Sequence, residues 1–253
     1  MQFTVLTLFP DLVEAFFAHG MIGRALEKGL AGGSVVNIRN FAHDRHRTVD
    51  DKPYGGGAGM VMKTAPLAEA VESARNRSGG SSGAKVVMMS PQGALFDQEK
   101  ALSLAAENRD LVFVCGRYEG IDQRFSDAYV DEELSIGDYV MTGGELAAMV
   151  IIDAVARLLP GVLGSEASAD FDSFRDQRLE HAHYTRPFEF QGREVPEVLM
   201  SGHHGKIQEW RKRTSLQRTF INRPDLFRKR TPDAEEKAIL RSWCRELEIL
   251  VDE

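Results

Sequence analysis

Residues 84–116 read AKVVMMSPQGALFDQEKALSLAAENRDLVFVCG. AKVVMMS is a short apolar run of strand type, PQG interrupts it, DQEKALSLAAEN carries helical spacing, and DLVFVCG is a second apolar run. Strand, loop, helix and strand in that order predict neighbouring strands of a parallel α/β sheet. Upstream the rhythm is the same: FTVLTLF (3–9) reads as a first strand, PDLVEAFF (10–17) as the start of a helix, and GSVVNIRNF (33–41) as another strand. Downstream, SIGDYVMTGGEL (135–146) runs straight into the apolar helical pattern ELAAMVIIDAVARLL (145–159). So much glycine at the mouth of a helix either turns a corner or wraps closely around something.

Gross composition narrows the choices. At 253 residues the chain can bury a core without disulfides or metals. Its two cysteines, Cys115 and Cys244, are far apart and outside any C-x-x-C spacing, which points to a reducing, cytoplasmic setting. The N-terminal stretch lacks a basic leader and carries Asp11 and Glu14, and no run of eighteen apolar residues occurs, so neither secretion nor membrane insertion is expected. Net charge is −7, yet residues 201–230 hold nine Lys/Arg against Glu209 and Asp225, a local +7 that leaves −14 elsewhere. Such an asymmetry suits a phosphate-bearing partner, although a solvated helix face reads the same way.

Composition also sets the organisation. NRSGGSSG (76–83) reads as a flexible surface loop. From Gly164 to Tyr184 the chain turns polar and poor in aliphatics, as a linker would. Beyond it lies a helical unit in which Ile207, Trp210, Leu216 and Phe220 share one helix face and Ile239, Trp243, Leu247 and Leu250 another. Thr231 as N-cap and Pro232 at the first turn would start the last helix. The expected division is therefore 1–163, a linker 164–184, and 185–253.

Three glycine-bearing loops border predicted elements: SPQG after strand 85–89, CGRYEG after 111–115, and SIGDYVMTGGEL before the helix at 145. Loops at the carboxyl ends of parallel strands converge on one crevice, so the three predict a single pocket. No G-x-G-x-x-G follows a strand and no G-x-x-x-x-G-K-[ST] occurs, which argues against a dinucleotide fold or a P-loop. PYGGGAGM (53–60) follows the charged HDRHRTVDDK and reads as a loop rather than a ligand site. His43 and His46 are spaced i, i+3 but lack an evident third ligand, so no metal site is expected.

HDRHRTVDDKPYGGGAGMVM, SPQG, CGRYEGID, DEELSIGDYVMTGGELAAM, RLLPGVLGSEAS, DSF, HYTRP and VPEVLMSGHH together resemble, in order and approximate spacing, the bacterial tRNA (guanine-N1)-methyltransferases of the TrmD family. The likeness spans nearly the whole chain. It implies a SPOUT-type parallel sheet with a C-terminal trefoil knot, a small helical C-terminal domain, a homodimer with two subunits at each active site, S-adenosyl-L-methionine as methyl donor, and tRNA as substrate. It also implies a Mg²⁺ requirement without pointing to ligands for the ion. Carried over by position, Pro91, Gly116, Tyr118, Ile136, Gly137, Asp138, Tyr139, Val140, Met141, Gly143 and Gly144 would hold the donor, the glycines letting backbone groups press against adenine and ribose. Glu119, Tyr184, Arg186 and Arg211 would face the substrate.

The chemistry asks for two further groups. Guanine N1 carries a proton that must leave as the methyl arrives, which calls for a carboxylate, and charge building on O6 calls for a cation. The resemblance assigns these to Asp172 of DSF and Arg157 of AVARLLPG. Taken alone, an Asp in a polar linker is a solvated residue, and an Arg at a helix end complements the helix dipole. Ala58, Met88, Glu180 and His203 depart from residues common in the family. Two other readings stay open: a SPOUT enzyme acting on a different RNA base, and a non-catalytic RNA-binding protein with the same fold.

Overall fold

A computed structural model describes residues 1–77, 83–163 and 172–252, so most of the expected surface loop 76–83 and the first part of the expected linker lie outside the described residues. The chain forms two compact units, Met1–Glu166 and Ala167–Glu253.

The first unit is built on five parallel strands, β1 (Gln2–Thr7), β2 (Gly32–Asn37), β5 (Lys85–Leu95), β6 (Leu111–Cys115) and β7 (Glu132–Ser135), in the order β2-β1-β6-β5-β7. Two-residue strands β3 (Asp50–Asp51) and β4 (Val61–Met62) pair separately. Side chains alternate between two apolar faces, as a sheet covered on both sides requires. Phe3, Val5, Val87, Leu111, Phe113 and Leu134 join one core with Val13 and Phe17 of α1 (Pro10–Ala18), Leu104 of α4 (Gln98–Glu107), and Ile151, Ile152 and Val155 of α6 (Glu145–Ala156). Leu6, Val86, Val112 and Val114 join the other with Leu67, Ala70 and Val71 of α3 (Thr64–Arg77) and Phe125 of α5 (Gln123–Tyr129). Side chains such as Phe3, Phe113 and Leu134 are fully buried, and each stabilises the unit by about 1.5–3 kcal/mol.

Helix ends follow local chemistry. Pro10 fills the first turn of α1, Asp97 accepts from Lys100 N–H at 3.0 Å to cap α4, and Asn108 closes α4 in the left-handed region at φ 47°. The expected strand 33–41 stops early: the Asn37 side chain accepts from Arg39 N–H at 3.0 Å and turns the chain into a 3₁₀ turn at Ile38–Phe41. Strand β7 was not expected, because it is an edge strand whose first residue is ion-paired. Glu132 meets Lys85 at 3.0 Å and also Lys100.

Strand β5 does not end at the predicted PQG break. Met89 and Ala94 both oppose Leu134 of β7, so Ser90–Gly93 loops out of the ladder and the strand then resumes. Gly93 passes so close to β7 that a Cβ there would sit 2.5 Å from the Glu133 carbonyl carbon.

In the second unit, residues 172–184 do not behave as a free linker. Leu179 N–H donates to Thr219 Oγ1 at 2.9 Å, Ser215 Oγ donates to Leu179 O at 2.5 Å, and Arg178 is buried against Glu236 at 3.3 Å. These partners lie on the two long helices α7 (His204–Asn222) and α9 (Ala234–Asp252), between which falls the short α8 (Leu226–Lys229). The last helix is capped by Asp233, not by Thr231 with Pro232. Asp233 Oδ1 accepts from Glu236 N–H and Glu236 Oε2 accepts from Asp233 N–H, both at 2.9 Å, a reciprocal capping box. Leu216 is buried as the helix face predicts, whereas Phe220 is half-exposed and meets Phe227 and Trp243 edge-on; the buried neighbour on α7 is Thr219.

Candidate functional site

Because Met89, Cys115 and Leu134 lie side by side across three parallel strands, the segments that follow them leave the same edge of the sheet. Residues from segments 90–91, 116–120 and 136–144 thus line one cleft of about 280 Å³, near the lower end of the size of small-molecule sites. Its walls include Pro91, Gly116, Tyr118, Glu119, Ile136, Gly137, Tyr139, Val140, Met141, Gly143 and Gly144, so ten of the eleven expected donor-binding positions and Glu119 share one space. Asp138 does not line it and points to solvent.

The loops are shaped by backbone conformations few residues tolerate. Gly137 has φ 148°, its N–H donates to Ser135 Oγ at 3.2 Å, and its carbonyl accepts from Tyr139 N–H at 3.0 Å. A Cβ on Gly137 would lie 2.5 Å from the Tyr139 ring, which folds back over it. Tyr118 adopts the left-handed region at φ 60°, unusual for a bulky residue and held by Glu119 N–H donating to Met60 O at 3.0 Å. Through that bond and the Met62 N–H to Gly120 O bond at 2.9 Å, the PYGGGAGM loop is tied to the rim of the cleft; a Cβ on Gly59 would strike the Glu119 side chain at 2.4 Å.

The pair Gly143-Gly144 has a different physical reason from the one the sequence suggests. A Cβ on Gly143 would lie 2.1 Å from Arg117 Nε, and one on Gly144 would lie 2.9 Å from Met89 Cβ and 3.0 Å from Cys115 Cα. Gly144 is held to glycine by Met89 and the Cys115 backbone, and a side chain at Gly143 would displace the Arg117 guanidinium. Gly144 N–H donates to Gly116 O at 3.1 Å, stitching the third loop to the second.

Sequence reasoning missed the charged pair behind this seam. Glu145, at the first turn of α6, is 1% exposed and takes Arg117 Nη2 at 2.9 Å and Thr7 Oγ1 at 2.8 Å. An acid opening an otherwise apolar helix, and an arginine between Gly116 and Tyr118, were the available signals. Burial pushes the neighbouring Cys115 thiol up, and the Glu145 charge adds to it.

Of the remaining expected residues, Arg157 stands at the C-cap of α6 in the first unit and does not line the cleft. Asp172 belongs to the second unit, where it borders a separate, larger cavity of about 990 Å³ together with Arg178, His181, Arg211 and Glu236. Tyr184 is half-exposed and meets Trp210 edge-on at 6.0 Å, and Arg186 is exposed. In the basic segment, Lys212, Arg213, Arg223 and Arg230 are paired with Glu235, Glu246, Asp225 and Glu236. Lys206, Arg211, Arg218 and Arg228 are exposed. His43 bonds Glu69 at 2.8 Å, and among the described residues no group of three or more His, Cys, Asp or Glu converges as a metal site would.

Comparison with known proteins gives one answer. The chain is 53% identical over 247 residues to the tRNA (guanine-N(1)-)-methyltransferase of Desulfatibacillum aliphaticivorans, covering 98% of this chain and 93% of that protein. It is 52% identical over 254 residues to the protein of the same name from Carboxydothermus hydrogenoformans, covering 100% of this chain and 98% of the relative. With the Shewanella amazonensis counterpart it shares 51% over 248 residues, 98% of each. A family model described as tRNA (Guanine-1)-methyltransferase TrmD matches residues 1–229, and with the loop cleft in place the chain belongs to that family.

Proposed function

We infer that this protein is an S-adenosylmethionine-dependent tRNA (guanine-N1)-methyltransferase. The observation that carries the reading is the convergence of the three family loops on one cleft in a chain that matches the family over residues 1–229. No helix among the described residues is long and apolar enough to cross a membrane, and the substrate is an RNA.

The cleft would hold S-adenosylmethionine, which supplies an electrophilic methyl on a positively charged sulfur. Apolar Ile136 and Met141 would face its adenine, and backbone groups of the 116–121 and 136–144 loops would meet its polar edges. The loops 90–93, 116–121 and 136–144 would form the trefoil knot, one of the rare exceptions to unknotted chains. The target would be the guanosine immediately 3′ of the anticodon, position 37, whose methylation protects the reading frame. A base in a single-stranded loop is cheaper to unstack than one in a duplex.

At the guanine, Asp172 would accept the N1 proton while the N1 lone pair takes the methyl, and the Arg157 guanidinium would offset the negative charge that builds on O6. Exposed Arg211 and Arg218, two helical turns apart on α7, with Tyr184, Arg186 and Glu119, would hold the RNA. Leu95, Val140, Leu146 and Val150 are all at least 48% exposed on the first unit. Apolar surface of that kind is what a homodimer would cover. Mg²⁺ commonly needs only one or two carboxylates besides water and substrate oxygens. The described residues offer it no dedicated cage, so no residue is assigned to it here.

The test is direct. The protein is incubated with methyl-labelled S-adenosylmethionine and unmodified tRNA, and the nucleosides are separated. Label in 1-methylguanosine next to the anticodon is expected; label on another base would overturn the assignment.

A further inference from the structure

Arg117, on the second loop of the cleft, ties it by side-chain contacts to the third loop, to α6 and to the chain after β1. Its Nε and Nη2 lie 3.3 and 2.9 Å from the two Glu145 oxygens, its Nη1 donates to Thr142 O at 3.1 Å, and its guanidinium lies over the Phe9 ring at 4.3 Å. Glu145 begins α6, Thr142 belongs to the 136–144 loop, and Phe9 follows β1. Thr7 Oγ1 completes the node by donating to Glu145 Oε1 while accepting from Phe9 N–H at 2.9 Å. We propose that Arg117 is a positioning residue for the methyl donor: anchored on the buried Glu145, it holds the Thr142 carbonyl and so fixes the 136–144 loop against the 116–121 loop at the separation the cofactor needs. This rests on the reading of the cleft as the cofactor site.

The physical case is that the loop has few other tethers. On the cleft side its backbone is joined to the neighbouring loop by the single Gly144 N–H to Gly116 O bond, while Tyr139 and Val140 stand exposed. A carbonyl held by a guanidinium is a charge-assisted bond, and this guanidinium is itself oriented by a carboxylate that solvent hardly reaches. The planar fork is essential. Two of its nitrogens take the carboxylate, a third takes the carbonyl, and its flat face stacks on Phe9; an ammonium could keep the ion pair but not all three contacts at once. Gly143 leaves no room for a side chain between the loop and this group. Glu145 also gains from the N-terminal end of the α6 dipole, so the anchor is favourable from both sides.

The experiment compares full-length wild type with Arg117→Lys and Gly143→Ala. The second variant displaces the same guanidinium from the opposite side without altering charge. Donor affinity is measured by calorimetry with S-adenosylhomocysteine, and methyl transfer to tRNA by steady-state kinetics. Both variants should weaken donor binding by about 10- to 100-fold and raise KM for S-adenosylmethionine in step, the usual worth of one bond to a charged group. For Arg117→Lys the rate at saturating donor should stay within about threefold. Unchanged donor affinity, or a loss confined to kcat, overturns the proposal. Should Arg117→Lys fail to fold, Arg117→Met combined with Glu145→Gln removes both charges and must show the same affinity loss, because neither change adds a side chain to the cleft wall at Gly143. Gly137→Val, which blocks the cleft without touching Arg117, separates the two levels. If it binds donor like wild type, the cofactor reading falls and this inference with it; if it abolishes binding while Arg117→Lys does not, only the inference falls.

Discussion

Each unit of the molecule contains a dehydrated arginine–glutamate pair, and the two are built alike. Glu145 and Glu236 both sit in the first turn of a helix; Arg117 and Arg178 both come from irregular chain, cover an aromatic ring at 4.3 and 4.4 Å, and donate to a backbone carbonyl. They differ in what surrounds them. The Arg178 side chain is 7% exposed, and its carboxylate also takes Arg230 at 2.9 Å and closes the capping box, whereas Arg117 is 20% exposed and borders the cleft. One device therefore serves two ends: in the second unit it holds 172–184 to the helices, and at the cleft it holds a loop where a ligand would bind.

The sharpest test of that difference removes chemistry while sparing anchorage. Asp172 opens the segment that Arg178 pins, and Asp172→Ala should slow single-turnover methyl transfer by about 10² to 10⁴ and leave donor affinity nearly unchanged. An unaltered rate would take Asp172 out of the mechanism. For Arg157→Ala the expected loss is about 10² to 10³, as for one lost oxyanion donor.

Breaking anchorage should do the reverse. Arg178→Ala leaves the Glu236 carboxylate on Arg230 and the Asp233 N–H but removes its second arginine and the bonds to Gln177 O and Arg230 O, and should cost about 1–3 kcal/mol in urea unfolding. Both tryptophans, Trp210 and Trp243, lie in the second unit, so fluorescence follows that unit alone. A cost below about 1 kcal/mol would make the pair a surface contact.

Acid gives a gentler perturbation. Burial alone would raise the Glu236 pKa, but the Asp233 N–H bond, the Arg230 bond and the Arg178 charge outweigh it and hold it below 4.5. A carboxyl with a depressed folded pKa stabilises fully above its unfolded value and loses that contribution as pH falls through the folded one. Tryptophan-detected stability should accordingly decline below about pH 4.5, and Glu236→Gln should flatten that decline. The smallest effect belongs to solvent-facing charge: Arg211→Ala and Arg218→Ala should each reduce the slope of log tRNA affinity against log salt by about one, without changing the site methylated.

Much of this was legible beforehand, for identifiable reasons. The apolar runs that became β1, β5 and β6 and the helical spacing of α1, α4 and α6 follow from side-chain periodicity, and the convergence of three loops follows from parallel strands. Strand β7 was hidden because its Glu132 is neutralised by lysines distant in sequence. The packing of 172–184 was hidden because a polar segment can be held by hydrogen bonds and one buried arginine without any apolar pattern. Gly143 and Gly144 were rightly placed at the cleft but for an incomplete reason, since the atoms that exclude a side chain belong to Arg117, Met89 and Cys115.

The excursion of β5 at Ser90–Gly93 makes the molecule sensitive to length as well as to identity at that point. Leu134 is matched twice, once before the detour and once after it, so the four residues between are surplus to the ladder. Losing or gaining a single one of them, wherever the detour did not absorb the change, would turn Ala94 and Leu95 onto opposite sides of the sheet. Within the detour, Ser90 and Gln92 are free to vary in a way that Gly93, pressed on the β7 backbone, is not.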